Sequence, residues 1–129
     1  MKKIFGALLI CLSLVVFVKP SMAGTCNGGV EFQGAENGHT YCRSSTGMTW
    51  WAAIAWCKKQ GRELGSMDQL CDRKNGANDT SCPNMKINID FQGWSSNPND
   101  SAMVFTVHLK SGMQFENYRN VTHLSAICY

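Results

Sequence analysis

Cysteine is the residue with the most chemistry to offer in this sequence. Cys26, Cys42, Cys57, Cys71, Cys82 and Cys128 are spread along the chain, and a seventh, Cys11, sits in an apolar run near the start. Thiolates in such numbers either hold metal or oxidise in pairs. Zinc sites place cysteines about two to four residues apart, and no pair here has that gap. His39, His108 and His123 are isolated, without ligand spacing among them, and read as surface residues. With Cys11 set aside in its apolar run, six remain, and an even number of cysteines in a small chain reads instead as a disulfide framework, whose pairing the residues alone leave open. Catalytic chemistry finds little support. No Ser/His/Asp order, helical H-E-x-x-H, glycine-rich phosphate loop or pair of buried carboxylates stands out.

Disulfides need an oxidising compartment, and the start of the chain supplies a route to one. Met1, Lys2 and Lys3 form a short basic head, and Ile4 to Val18 is almost wholly apolar. Lys19 and Pro20 end the run, and Ser21-Met22-Ala23 offers small residues at the two positions that a signal peptidase reads. This is the layout of a secretory signal peptide over residues 1–23, cut between Ala23 and Gly24. The run is too short for the roughly 20 residues that cross a bilayer. Lipid attachment at Cys11 is opposed by the bulky Ile10 before it. The expected location is the periplasm, the medium or the cell surface.

Residues 24–129 then form one domain. Lys2, Lys3 and Lys19 leave with the leader, so Lys plus Arg falls from 12 to 9 against 9 acidic residues, and the formal charge drops from +3 to zero. A neutral chain gives no electrostatic reason to bind nucleic acid or an anionic membrane.

The elements that must position any site follow from local pattern. Val30-Glu31-Phe32 and Thr40-Tyr41-Cys42 suggest two short strands of a hairpin. Thr49 to Gln60 is the clearest helix: Thr49 caps it, Lys58 and Lys59 suit its last turn, and Gly61 suits the stop. Trp50, Ala53, Ile54 and Cys57 form its buried stripe. Trp51 falls about 100° away, partly exposed. Ser66 with Gln69 predicts a capping box opening a second short helix. Residues 72–86 read as a polar loop. Met103, Phe105, Val107 and Leu109 alternate with polar neighbours as one buried face of a strand, and Met113 and Phe115 are expected to point inward on the returning strand. A last strand runs from Leu124 to Tyr129.

Met48-Thr49-Trp50-Trp51-Ala52-Ala53-Ile54-Ala55-Trp56-Cys57, followed by Gln60-Gly61-Arg62-Glu63-Leu64, resembles the first helix of C-type-lectin-like domains. Ala126-Ile127-Cys128-Tyr129 resembles their closing strand, whose cysteine bonds to that helix. Gly93-Trp94-Ser95-Ser96-Asn97-Pro98, then Ala102 to Leu109 and Ser111-Gly112, is similar to a compact bacterial branch found at the ends of collagen-like adhesins and in short exported proteins. The resemblance covers most of residues 40–129, although 72–90 matches nothing in it. It implies an α+β fold with two short helices and a small antiparallel sheet whose last strand returns beside the first. It also implies one pairing: Cys26 with Cys42, Cys57 with Cys128, and Cys71 with Cys82. Formylglycine-generating enzymes share the fold class, but they are much longer and rely on reactive cysteines. All six cysteines here have structural partners under the implied pairing.

Sugar-binding members of that family hold calcium through an acid or amide on each side of a proline and a second group on the next strand. Asn97-Pro98-Asn99 resembles the first motif, and Glu116-Asn117 stands where the second belongs. Asn97, Asn99, Asp100, Glu116 and Asn117 would be the oxygen ligands, short of the roughly six to eight that calcium takes with several carboxylates among them. Between the first helix and Trp94 there is also too little chain for the family's long calcium loop, and Asn-Pro-Asn-Asp is an ordinary turn sequence. No cofactor is therefore expected, with calcium as the alternative. The resemblance implies a non-catalytic binding domain for a surface polysaccharide or protein. Its ligand face would lie near residues 72–84 and 94–101, with Trp94, Asn97, Asn99, Asp100, Glu116 and Asn117 as candidates. The rival is a structural or accessory subunit of a surface appendage. No collagen-like repeat is present, and the oligomeric state stays open.

Overall fold

The computed structural model describes residues 26–72 and 81–129. The expected signal peptide, its cut between Ala23 and Gly24, and most of the polar loop lie outside the described residues. Chain order is β1 (Gly29–Gln33), β2 (Thr40–Ser44), α1 (Trp50–Lys59), α2 (Met67–Cys71), a 3-10 turn (Pro83–Met85), β3 (Gln92–Pro98), β4 (Met103–His108), β5 (Gln114–Tyr118) and β6 (Ser125–Cys128). The fold is α+β. Among the described residues, no helix is long and apolar enough to cross a membrane.

Both helices start where their caps put them. The Thr49 hydroxyl accepts from the Ala52 N–H, and Lys58 and Lys59 occupy the last turn of α1. The α2 capping box is complete. Gln69 N–H donates to Ser66 Oγ at 3.1 Å, and Ser66 N–H donates to Gln69 Oε1 at 2.9 Å. Two orphan donors are thereby satisfied at once.

The strands form one sheet in the order β1-β2-β6-β3-β4-β5. It is mixed, not antiparallel as the resemblance implies. β6 pairs antiparallel with β2 but parallel with β3, matching Gly93 to Ser125 and Trp94 to Ala126. The reason is topological. β3, β4 and β5 alternate in direction, and residues 119–124 then carry the chain back to the centre without reversing it. β6 therefore lies beside β2, not β1.

Side chains alternate across a strand, so neighbours on β2 and β6 fall into two different core clusters. Cys42 and Cys128 join Ala53, Cys57, Leu64, Trp94, Val104, Leu124 and Ala126 under α1. Tyr41 and Ile127 join Met67, Leu70, Met85, Val107 and Leu109 under α2 and the 3-10 turn. The sheet is thus covered on both faces near its middle. This corrects the one-sided pattern expected for β4: Val107 is buried on one side, and Val104 and Thr106 are buried on the other. The expectation for the returning strand also fails. Met113 and Phe115 are 51% and 44% exposed, because β5 is an edge strand while α1 packs mainly on β6 and β3.

Three disulfides close the structure: Cys26–Cys42 beside the hairpin, Cys57–Cys128 between α1 and β6, and Cys71–Cys82 across the polar loop. This is the pairing that the resemblance implies.

Candidate functional site

The residues expected to hold a ligand are distributed among separate tasks. Trp94 is fully buried, and its Nε1–H donates to the Met48 carbonyl at 2.7 Å. It packs the core and presents no face to a ligand. Asn97 Oδ1 accepts from the Met67 N–H at 2.7 Å, so its carboxamide joins the end of β3 to the start of α2. Asn99 N–H donates to the Met103 carbonyl at 2.9 Å and closes the β3–β4 turn.

Asp100 braces the same turn, its Oδ1 accepting from the Ala102 and Met103 N–H groups, each at 2.7 Å. Those two bonds, led by Ala102, hold its carboxyl below the usual carboxylate range, with help from the Arg119 charge. Glu116 and Asn117 are adjacent on β5 and project to opposite faces. Asn117 Nδ2 donates to Thr106 Oγ1 at 2.9 Å. Among the described residues, no group of three His, Cys, Asp or Glu side chains could hold a metal ion.

One catalytic-looking contact escaped the sequence reading. Ser111 Oγ lies 3.3 Å from His108 Nδ1, and His108 Nε2 lies 3.3 Å from Asp90 Oδ1. The order is that of a hydrolase triad, but the Asp90 side chain is 82% exposed. A carboxylate in open water is screened and orients an imidazole weakly. Ser111 Oγ also accepts from the Met113 N–H at 3.3 Å. The trio reads as bracing of the β4–β5 turn.

What the fold does bring together is a cleft at the α1 N-terminus. It encloses about 220 Å³ and is lined by Trp51, Ser101, Ala102, Tyr118, Arg119 and Asn120. Trp51 and Tyr118 are 55% and 59% exposed, unusual for large aromatics that have a core available. Trp51 stands outside the buried stripe of α1 by its helical phase. Tyr118 ends β5, an edge strand of the sheet.

Arg119 fixes the wall between these elements. Its backbone N–H donates to the Ala102 carbonyl at 3.1 Å, and its own carbonyl accepts from the Trp50 N–H at 3.0 Å. Its guanidinium lies 4.7 Å from the Trp50 ring centroid, a cation–π distance. Its Nη2 donates to the Asp100 carbonyl at 2.6 Å. The backbone segment after β5, α1 and the β3–β4 turn are therefore locked to one another around the cleft.

Sequence reasoning singled out Trp51 as partly exposed and included Ser101 in the 94–101 ligand face, but missed Tyr118, Arg119 and Asn120.

A second, larger groove of about 410 Å³ runs between α1 and α2. Trp50, Ile54 and Leu64 make its apolar side, with Lys58, Glu63 and Ser96 at the polar side. Its Ser66 and Gln69 lining is already committed to the capping box.

Compared with known proteins, the chain matches no family model and no curated protein.

Proposed function

We propose that this chain is an exported, non-catalytic binding domain of C-type-lectin-like fold, and that it binds carbohydrate without metal in the cleft between Trp51 and Tyr118. The observation that carries this reading is the pair itself: two aromatics, each more than half exposed, line one cleft with Ser101, Arg119 and Asn120. Sugar rings have apolar faces and hydroxyl edges. Aromatic faces take the first, and amide, hydroxyl and guanidinium groups take the second. The helix-to-last-strand bond Cys57–Cys128 supports the fold assignment, and three disulfides suit an oxidising compartment.

A glycan-array screen of the oxidised protein, run with calcium and with chelator, tests the reading. Binding that survives the chelator and disappears in Trp51→Ala is the expected result. Binding lost with the chelator would return Asn97, Asn99, Glu116 and Asn117 to a calcium-and-sugar site.

A structural or accessory role is the second reading, and the apolar edge of β5 favours it, since Met113 and Phe115 are both exposed there. Silence on the array together with a concentration-dependent rise in mass by sedimentation would favour that role.

A further inference from the structure

We infer that the Trp51–Tyr118 cleft selects saccharides bearing a carboxylate, with Arg119 as the residue that reads the charge. The inference rests on the carbohydrate reading above and narrows it to acidic glycans.

Arg119 is the one charged residue among the six that line the cleft. No carboxylate among the described residues forms an ion pair with it. Asp100 lies close, but Arg119 bonds to its backbone carbonyl, while the Asp100 carboxylate is turned to the Ala102 and Met103 N–H groups. Among the described residues, Nη2 is the one guanidinium nitrogen with a bond, and Nε is buried with no partner. Nη1 takes no partner among the described residues. The cleft thus offers a fixed cation whose Nη1 is uncommitted among the described residues, although the Asp100 carboxylate offsets part of its charge.

The side chain is also held in place before any ligand arrives. The Trp50 ring lies 4.7 Å from the guanidinium carbon, and the Asp100 carbonyl fixes one nitrogen. A guanidinium positioned in advance loses little side-chain entropy on meeting an anion. Its planar donor geometry matches a carboxylate better than a hydroxyl, and the charge-assisted bond is roughly twice as strong as a neutral one. A uronic or sialic acid beside Trp51 and Tyr118 would gain ring stacking and this bond together. The neutral sugar would keep the stacking and the neutral hydrogen bonds to the polar lining but lose the charge-assisted bond.

The test is an affinity comparison on an array of acidic glycans, uronates and sialosides, each printed beside its methyl ester. The ester keeps the sugar and removes the charge. The wild-type protein is expected to prefer free acids by about tenfold, the ratio that one charge-assisted bond supplies. Raising the salt concentration should shrink the preference. Arg119→Gln is expected to bring acid and ester to equal affinity, with ester binding weakened as well because the guanidinium also braces the cleft wall, and Arg119→Lys to keep part of the preference.

Acid and ester bound equally by wild type, with Trp51→Ala abolishing both, would overturn the acid selectivity and leave carbohydrate binding standing. A preference unchanged in Arg119→Gln would overturn the role of Arg119. Silence on every acidic glycan overturns the inference, and silence on neutral glycans as well removes the carbohydrate reading with it. Near-UV circular dichroism checks the fold of each variant. Should Arg119→Gln lose its fold, the wild-type acid-to-ester ratio decides alone.

Discussion

The carboxamide of Asn84 donates through Nδ2 to the hydroxyl of Tyr41 at 3.2 Å, both residues being closed off from solvent. Asn84 Nδ2 also reaches the Leu70 carbonyl at 2.7 Å, and Oδ1 accepts from the Glu36 and Asn37 N–H groups at 3.0 and 2.9 Å. The Tyr41 hydroxyl donates to the Gln69 carbonyl at 2.7 Å and accepts from Asn37 Nδ2 at 3.0 Å. One amide and one phenol therefore join the β1–β2 turn, β2, α2 and the 3-10 turn. Asn84→Ala would strand several buried groups, and we expect a loss of about 2–4 kcal/mol, read from urea midpoints. A loss below about 1 kcal/mol would mean that water replaces the amide.

Alkaline pH should act through the same phenol. Burial raises the Tyr41 pKa above the ordinary phenol value, outweighing the hydrogen bonds from Asn37 and Asn84, which lower it. The unfolded chain gives up this proton near pH ~10, whereas the folded protein keeps it to higher pH. The unfolded state then binds fewer protons, so stability is fully present below pH ~10 and falls as pH rises through the folded value. Tyr41→Phe should be less stable at neutral pH but lose less stability above pH ~10. Parallel stability curves for the two proteins would reject the assignment.

The disulfides should differ in weight. Cys57–Cys128 spans 71 residues and Cys71–Cys82 spans 11. On the loop-entropy model the first contributes about 4 kcal/mol and the second about 3 kcal/mol. Replacing Cys57 and Cys128 together by Ser should therefore lower the thermal midpoint more than replacing Cys71 and Cys82. The first bond also ties α1 to β6 within the core, which adds to the difference. Equal or reversed effects would mean that local strain, not loop closure, sets their worth.

Gly93 faces Ile127 so closely that a Cβ built on it would meet Ile127 Cδ1 at 2.1 Å and Cγ1 at 2.4 Å. Gly93→Ala should cost about 1–3 kcal/mol by overpacking. Ile127→Val removes Cδ1 and alone should cost about 1 kcal/mol. Combined, the two should cost less than their sum, as contacting residues do. Strict additivity in a double-mutant cycle would place the clash elsewhere.

The tryptophans should separate by fluorescence. Trp51→Phe is expected to remove the largest acrylamide-quenchable fraction, whereas Trp94→Phe should leave quenching nearly intact. Trp94→Phe should instead destabilise the fold by about 1–3 kcal/mol, since it removes the bond to the Met48 carbonyl. The opposite assignment would put Trp94 back on the ligand-facing surface.

Local signals made the helices legible. Thr49, Ser66 and Gln69 fix helix starts through bonds that span three residues, so the sequence carries nearly all of that information. Strand order is different. Nothing near Ser125 announces that it will lie beside Gly93, because that pairing depends on a crossover. The burial of Met113 and Phe115 was misjudged for the same reason: alternation gives the two faces of a strand but not whether anything covers them.

For Trp94 the residue type does not decide between core and ligand platform, and only its burial does. The cleft was hardest to see. Trp51, Ser101 and Arg119 come from three separate segments, and the sequence gives no distance between them.

The place of β6 between β2 and β3 bears on how the chain reaches its native state. Until those four residues dock, β1–β2 and β3–β4–β5 are separate half-sheets with open edges facing each other. Cys57 meets its native partner only 71 residues later, while Cys26–Cys42 and Cys71–Cys82 can close early over short loops. Oxidation should follow synthesis order, with the last-formed bond sealing the seam. A chain cut short before Ser125 would keep two closed loops, a reactive Cys57 and two unsealed edges, and would be a target for quality-control thiol chemistry and for aggregation.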